Sequence, residues 1–109
     1  MLLWFSFRLV TSVLIEEPAP FDRQLVATLE ESSMGATTNY TYSVNLKRLD
    51  TGSRRLVFQC DGCFVSGETK LRWDNNMLVI YNLSSETEYV KLNVTEIHGK
   101  VIYVQYMKE

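Results

Sequence analysis

Apolar and polar residues alternate in short stretches over most of the chain after Thr38, and this alternation limits the possible folds more than any other feature. In residues 39–49, every second position is apolar or aromatic: Tyr40, Tyr42, Val44 and Leu46. A period of two places one face of a segment against a core and the other in water, which is typical of an antiparallel strand. The sequence therefore predicts a β protein.

Turn signals interrupt these stretches about every eight to twelve residues, a spacing typical of sandwiches and barrels. The clearest are D-T-G-S at 50–53, Asp61-Gly62, D-N-N at 74–76 and His98-Gly99. Strands joined by short turns usually pair with their sequence neighbours. We therefore predict one all-β domain over residues 1–109, built as a single antiparallel meander of about seven to eight strands that curls into a sandwich or a partly open barrel.

The segment that precedes these strands is less regular. Residues 16–22 (E-E-P-A-P-F-D) are predicted to be a linker, because the two prolines lack backbone donors and force an extended backbone. Residues 23–31 fit a strand, in which Leu25, Ala27 and Leu29 alternate, but they also fit a helical stripe with Asp22 as its N-cap. We favour the strand because the chain that follows has the β pattern throughout.

Residues 1–15 (M-L-L-W-F-S-F-R-L-V-T-S-V-L-I) permit two interpretations. Leu3, Phe5 and Phe7 alternate as in an N-terminal strand, which we favour. The apolar character also fits a degraded export signal, although Arg8 interrupts it and neither a small-residue cleavage site nor a lipobox cysteine follows. The stretch is shorter than the roughly 20 residues that a spanning helix needs, so we expect no stable membrane span.

The net charge of −2 argues against nucleic-acid binding, because phosphate recognition needs a sustained basic surface. The charge is unevenly spread. Residues 1–31 carry two arginines against five carboxylates, whereas residues 45–55 carry four basic side chains against Asp50. These segments are either solvated faces and hairpin tips, or an acidic patch that meets a basic partner.

Few residues offer chemistry. Cys60-Asp61-Gly62-Cys63 is a C-x-x-C motif, which fits a turn with two thiols, a disulfide, or a redox or metal site. We expect reduced thiols that folding does not need, because a disulfide across so short a loop gains little entropy. His98 is the only histidine, and no nucleophile can be assigned to it. We therefore expect no enzyme activity, no catalytic residue, no metal and no cofactor.

Four tyrosines lie on the predicted C-terminal strands: Tyr81, Tyr89, Tyr103 and Tyr106. They fit cross-strand pairs that hold a sheet, which we favour, and they also fit an exposed binding face. The alternation further predicts a mostly buried set, consisting of Tyr40, Tyr42, Val44, Leu46, Leu71, Trp73, Leu78, Ile80, Leu92 and Val104.

About two-thirds of the chain resembles a loose group of small, uncharacterised bacterial all-β proteins. The shared features are the loop Gly35-Ala36-Thr37-Thr38, Val57-Phe58 before Asp61-Gly62, and a strand-turn-strand of the form L-x-W-x-x-N-x-L-x-I-x-Y. That last motif is matched here by Leu71, Trp73, Asn76, Leu78 and Ile80, with Asn82 in place of its final Tyr. The resemblance implies a bacterial all-β domain and no catalytic residues. Many members of the group begin with a lipoprotein signal.

Small size, slight acidity and the lack of a catalytic set favour a protein-binding module. Its most concrete form is a cytoplasmic immunity protein that neutralises a toxin, such as a basic nuclease, by occluding the active site of the toxin. The alternative is an exported or envelope-associated β domain, periplasmic or membrane-anchored. The residues predicted to bind the partner are the acidic side chains of the N-terminal third and two flanking aromatics: Glu16, Glu17, Asp22, Glu30, Glu31, Phe21 and Tyr40.

Overall fold

Nine strands make up the regular structure of the residues that the computed structural model describes, which are 10–33, 40–63, 65–83 and 88–108. The strands are β1 (Val10–Ala19), β2 (Asp22–Ser33), β3 (Thr41–Arg48), β4 (Arg54–Asp61), β5 (Lys70–Asp74), β6 (Met77–Tyr81), β7 (Glu88–Lys91), β8 (Val94–Ile97) and β9 (Lys100–Met107). No helix occurs in these ranges, which confirms the predicted all-β class.

The strands form two sheets that pack as a sandwich. The large sheet has the order β1-β2-β3-β4-β7, and the small sheet has the order β5-β6-β9-β8. Every pair of neighbouring strands is antiparallel except β6 and β9, which run parallel. Of the two architectures predicted from the sequence, the sandwich is therefore the one formed.

The prediction of a simple meander of seven to eight strands is wrong in two respects. The described residues form nine strands, since the alternating stretch at residues 88–97 is divided into β7 in the large sheet and β8 in the small sheet. Leu92 N donates to Val57 O of the large sheet at 2.9 Å, whereas Asn93 O accepts from Val104 N of the small sheet at 2.8 Å. The excursion of β7 into the large sheet also supplies the long crossover that a parallel β6–β9 pair requires.

The predicted linker over residues 16–22 is not a linker. Strand β1 continues to Ala19, Pro20 and Phe21 form the turn, and β2 begins at Asp22. Pro18 pairs with Val26 even though proline has no backbone donor. The position tolerates it because β1 is an edge strand, whose outward side has no ladder to satisfy.

The N-terminal stretch falls only partly within the structure. Residues 10–15 belong to β1, whereas residues 1–9 lie outside the described residues. Ile15 packs against the hydrophobic core and pairs with Leu29. The favoured strand assignment for residues 23–31 is confirmed, because Leu25, Ala27 and Leu29 of β2 are fully buried on one face.

The core lies between the two sheets. Six residues of the predicted set are buried there: Val44, Leu46, Leu71, Leu78, Ile80 and Val104. Tyr42 and Trp73 are partly buried against this cluster, and Leu92 is half-buried. Tyr40 is 46% exposed, so its predicted burial is wrong. It precedes the first residue of β3, so it lies beyond the end of the ladder that covers Tyr42.

Candidate functional site

The five acidic residues predicted to bind a partner do not form one surface. Strand alternation places Glu16 and Glu30 on the outer face of the large sheet. Glu16 of β1 pairs there with Thr28, and Glu30 of β2 pairs with Val13. Glu17 and Glu31 fall on the opposite side, and Asp22 lies at the start of β2. Glu16 and Glu17 are exposed and remain available to a partner.

Asp22 is engaged with two cations of its own chain. Its Oδ2 lies 2.8 Å from Arg48 Nη1 and 3.2 Å from Lys100 Nζ, and its Oδ1 accepts from Gln24 N at 3.0 Å. The hydrogen bond from Arg48, followed by that from Gln24 N, lowers the pKa of Asp22 to about 2. Because Lys100 begins β9, this carboxylate joins the two sheets.

Arg48 also binds Asp50 through two nitrogens, with Nε and Nη2 at 2.9 and 2.7 Å from the two carboxylate oxygens. This fork geometry raises the pKa of Arg48 and lowers that of Asp50. The basic segment at 45–55 is therefore partly neutralised within the chain. It is not a free basic patch.

Glu30 is buried on the outer face of the large sheet, with 7% of its surface exposed. Its Oε2 accepts from Thr28 Oγ1 at 2.8 Å and forms an ion pair with Arg54 of β4. A buried carboxylate with a cation and a hydroxyl on it is structural, since removing either partner would leave an uncompensated charge. Glu30 is thus unavailable to a partner protein.

Glu31 accepts a hydrogen bond of 2.9 Å from the hydroxyl of Tyr42. Burial, and then this hydrogen bond, raise the pKa of Tyr42 to about 12. The exposed ring of Tyr40 lies 6.5 Å from that of Tyr42, measured between ring centroids. Of the predicted anchors, Tyr40 is the one whose ring remains largely accessible.

Phe21, the second predicted anchor, packs where the two sheets meet. Its ring meets Trp73 of β5 edge-on, with centroids 5.7 Å apart and planes at 88°, and Lys100 Nζ lies 5.1 Å from its centroid. Trp73 Nε1 in turn donates to Glu17 O at 3.0 Å. Phe21 thus helps to close the sandwich at the β1–β2 turn, although 40% of its surface remains exposed.

The outer face of the small sheet carries exposed apolar side chains among charged ones. We call it the small-sheet face and define it by the side chains opposite the core on β5, β6, β9 and β8. They are Lys70, Arg72, Asp74, Met77, Val79, Tyr81, Val94, Glu96, Val101, Tyr103, Gln105 and Met107. Four of them are exposed large hydrophobics: Val94, Val101, Tyr103 and Met107.

A depression of about 380 Å³ lies within this face. Val79 occupies its centre, and only 5% of its surface is exposed. Longer side chains surround this short one, because Arg72 and Gln105 pair with Val79 on either side and Met77 and Tyr81 flank it along β6. A short side chain ringed by long ones leaves a hollow that another molecule can fill.

Two of the four tyrosines of the alternative binding face lie on the outer face of the small sheet, where Tyr103 is exposed and Tyr81 is half-buried. Tyr81 and Tyr103 are on the small-sheet face, whereas Tyr89 belongs to β7 in the large sheet. Tyr106 faces the core, where its hydroxyl donates to Leu92 O at 2.7 Å. Burial raises the pKa of Tyr106. The signal for the apolar face is the unbroken run M-L-V-I-Y of β6, which leaves no polar side for water.

His98 has a serine partner that the sequence did not indicate. Its Nε2 lies 2.9 Å from Ser53 Oγ, and 3.4 Å from Thr51 Oγ1, because the β3–β4 and β8–β9 turns meet. Positive φ at His98 (51°) and Gly99 (78°) forms the second of these turns. Within the described chain, no carboxylate contacts the other ring nitrogen, so the arrangement is a serine–histidine pair without the orienting group of a triad.

The structure pairs the sulfur atoms of Cys60 and Cys63 as a disulfide, whereas the sequence predicts reduced thiols in the native cell, and that oxidation state stays a prediction. Their Cα atoms are 6.0 Å apart, within the range that a disulfide spans. The turn at Gly62, where φ is +61°, directs both side chains into the core, and both are buried. The sequence prediction considered the entropy of the small loop and missed this shared orientation.

No protein-family model matches this chain, and comparisons with curated proteins and with solved structures found no match. Across the part of the chain with described coordinates, no helix is long and apolar enough to cross a membrane, and no group of three or more metal-binding side chains occurs. The two outer faces of the sandwich are therefore the candidate binding surfaces.

Proposed function

We propose that this chain is a small bacterial protein-binding module whose partner docks on the small-sheet face. The observation that carries the proposal is the set of exposed apolar side chains on this face, which are Val94, Val101, Tyr103 and Met107. Val94 and Tyr103 are directly paired and Val101 is next to Tyr103 on the same side of β9, whereas Met107 lies beyond Gln105 and borders the depression. Apolar patches of this kind favour protein interfaces, in which tyrosine, methionine and arginine are enriched.

The particular function we propose is that of an immunity protein. It binds a basic toxin domain, for example a nuclease, in the cytoplasm and occludes its active site without chemistry of its own. Glu17 supports this form, because it is exposed on the side of β1 that faces β5, at the edge of the small sheet. Glu16 is also exposed, but it lies on the outer face of the large sheet and adds negative charge at longer range. Charge near an interface sets the association rate and the choice of partner.

Affinity capture with matched tyrosine variants tests the docking face. Tyr103 is 50% exposed and Tyr40 is 46% exposed, so Tyr103→Asp and Tyr40→Asp make the same change at equal exposure on different surfaces. We expect wild type and Tyr40→Asp to retain one specific partner and Tyr103→Asp to lose it. Retention by Tyr103→Asp and loss by Tyr40→Asp would place the interface at the N-terminal acidic residues instead.

The immunity role is tested separately, with the captured partner expressed in a sensitive cell. We expect the partner to arrest growth when expressed alone, wild type to restore growth, and Tyr103→Asp to restore little. A partner that is harmless when expressed alone would eliminate the immunity role and leave the binding module.

A second candidate function is supported by the cysteine pair. A disulfide between Cys60 and Cys63 is typical of oxidising compartments, which favours an exported or envelope-associated β domain, periplasmic or membrane-anchored. Alkylation of thiols in intact cells before lysis, followed by mass spectrometry, distinguishes the two locations. A disulfide preserved in the cell favours export, and two alkylated cysteines favour the cytoplasmic immunity protein.

A further inference from the structure

The lining of the depression over Val79 is more polar than apolar. Arg72 and Gln105 flank Val79 in the same row across the sheet, one on β5 and the other on β9. The carboxylate of Asp74 and two methionines complete the part of the lining that matters here. A site of this composition fixes the polar end of a ligand with a few donors and covers a short apolar part of it.

Arg72 is the cation in this depression, and it has no carboxylate partner among the residues described. Asp74 also lines the depression, on the same face two residues further along β5, and is about 7 Å away at the spacing of a strand. Its Oδ1 accepts a hydrogen bond of 3.5 Å from Asn75 Nδ2. Arg48 and Arg54 both hold carboxylates of this chain, whereas Arg72 forms no hydrogen bond or ion pair with another residue in the described ranges.

We propose that the depression receives an acidic side chain, aspartate or glutamate, from the protein that docks on the small-sheet face. Arg72 binds the carboxylate through two parallel N–H donors, and the amide of Gln105 donates from the opposite side. The methylene groups of the incoming side chain lie over Val79 and against the methionines. This inference rests on the proposed docking face and names the residue type that anchors the partner there.

Two features favour a protein side chain over a free small acid. The depression adjoins the exposed apolar surface, because Met77 in its lining pairs with the exposed Tyr103. A group held there is thus at the centre of a larger contact and surrounded by side chains that exclude water, as in the anchoring pockets of protein interfaces. The hydrogen bonds between a carboxylate and an arginine are stronger in such a place, because water has reduced access to them.

The test uses end-blocked tripeptides, so that no terminal carboxylate competes. The probes are leucine–glutamate–leucine and its versions with glutamine or lysine in the centre, titrated into the full chain and followed by amide chemical shifts. We expect the glutamate peptide to shift the signals of Arg72, Val79 and Gln105 and to bind about tenfold more tightly than the glutamine peptide. The lysine peptide should bind more weakly than either.

Variants identify the groups responsible. Arg72→Gln should abolish the preference for glutamate over glutamine, and Arg23→Gln, at an exposed arginine of β2, should preserve it. Val79→Phe should fill the depression and abolish the local shifts, with a thermal melt confirming that it folds. Equal binding of the glutamate and glutamine peptides to wild type, or no shifts around Val79, would overturn the acidic anchor.

The outcome separates this inference from the proposed function. If affinity capture depends on Tyr103 while the peptides show no charge preference, the docking face stands and the acidic anchor is wrong. If capture does not depend on Tyr103, the docking face itself is wrong, and peptide binding at Arg72 would then report a site unrelated to the partner.

Discussion

Individual side chains decide which of the acidic residues can meet a partner. Asp22 and Glu30 each hold a cation supplied by a distant part of the chain, Arg48 and Lys100 for the first and Arg54 for the second. Their negative charge is neutralised by ion pairs within the molecule. Glu16 and Glu17 are the acidic residues of the predicted set that remain exposed.

Asp22 should make stability depend on pH in acid. Its pKa is lowered from 3.8 to about 2 in the folded protein, so the stability it adds is complete above pH 4 and is lost as the pH falls towards 2. We expect Asp22→Asn to melt at a lower temperature than wild type at pH 7, and the difference to close between pH 4 and pH 2. Asp74→Asn is the control and should melt like wild type. A difference that persists unchanged at pH 2 would contradict the role of the ionised carboxylate.

The Tyr106 hydroxyl should contribute to stability because it ties β9 to the segment that leaves the large sheet. It donates to Leu92 O at 2.7 Å and lies 3.3 Å from Val57 O. Tyr106→Phe leaves these carbonyls without that donor, and we expect a loss of about 1–2 kcal/mol in urea unfolding. Tyr103→Phe removes an exposed hydroxyl and should change stability by less than about 0.5 kcal/mol. Equal effects of the two variants would refute the assigned contacts.

At the scale of strands, the alternating pattern should fix the register of β3. Val44 is fully buried and pairs with Phe58, whereas Lys47 on the same strand is half-buried on the outer face. Val44→Asp buries an unpaired charge, so we expect a loss of at least about 4 kcal/mol in chemical unfolding. Lys47→Asp should cost far less. A wild-type unfolding midpoint for Val44→Asp would mean that β3 presents its other face to the core.

Local pattern predicted the strands that turns delimit and failed where distant contacts decide. The β3–β4 and β5–β6 hairpins follow from alternation and from turn residues such as Gly52 and Asn75, both at positive φ. The division at Leu92 and Asn93 depends on carbonyl and amide partners in different sheets, which no local pattern contains. The linker predicted over residues 16–22 was wrong because proline is common in loops as well as at strand edges. Pro18 fits a strand here because β1 is at the edge of its sheet.

The candidate site followed the same rule. The sequence located the acidic residues but not the cations that engage them, because Arg48, Arg54 and Lys100 are distant in sequence from the carboxylates they bind. The tyrosine face was considered and not favoured. Two of its residues, Tyr81 and Tyr103, lie on the outer face of the small sheet, in or next to β6, the strand that is apolar on both sides.

At the scale of the whole molecule, the two outer faces of the sandwich differ in kind. On the outer face of the large sheet, buried polar groups are paired with one another. Glu30 there accepts a hydrogen bond from Thr28 and forms an ion pair with Arg54. The small-sheet face exposes Val94, Val101, Tyr103 and Met107 and contains the depression over Val79. Because of this difference, we propose the small-sheet face and not the outer face of the large sheet as the surface that binds a partner.

The exposed carboxylates of β1 should increase the rate of association with a basic partner. Glu16→Lys combined with Glu17→Lys replaces the two exposed carboxylates of β1. We expect a severalfold slower association at low salt, a smaller effect at high salt, and little change in dissociation. Glu68→Lys, an exposed charge in the turn before β5, is the control. Rates that are independent of both salt and reversal would eliminate the acidic contribution and leave an interface based on apolar contact alone.

Methionine methyl signals test the docking face most directly. The chain has four methionines, and Met77 and Met107 both lie on the small-sheet face. With ¹³C-methyl methionine, assigned through Met77→Leu and Met107→Leu, titration with the captured partner should shift or broaden these two signals in proportion to complex formation. If the partner docks on the small-sheet face, both signals change at saturation. Unperturbed Met77 and Met107 signals in a saturated complex would contradict docking on this face.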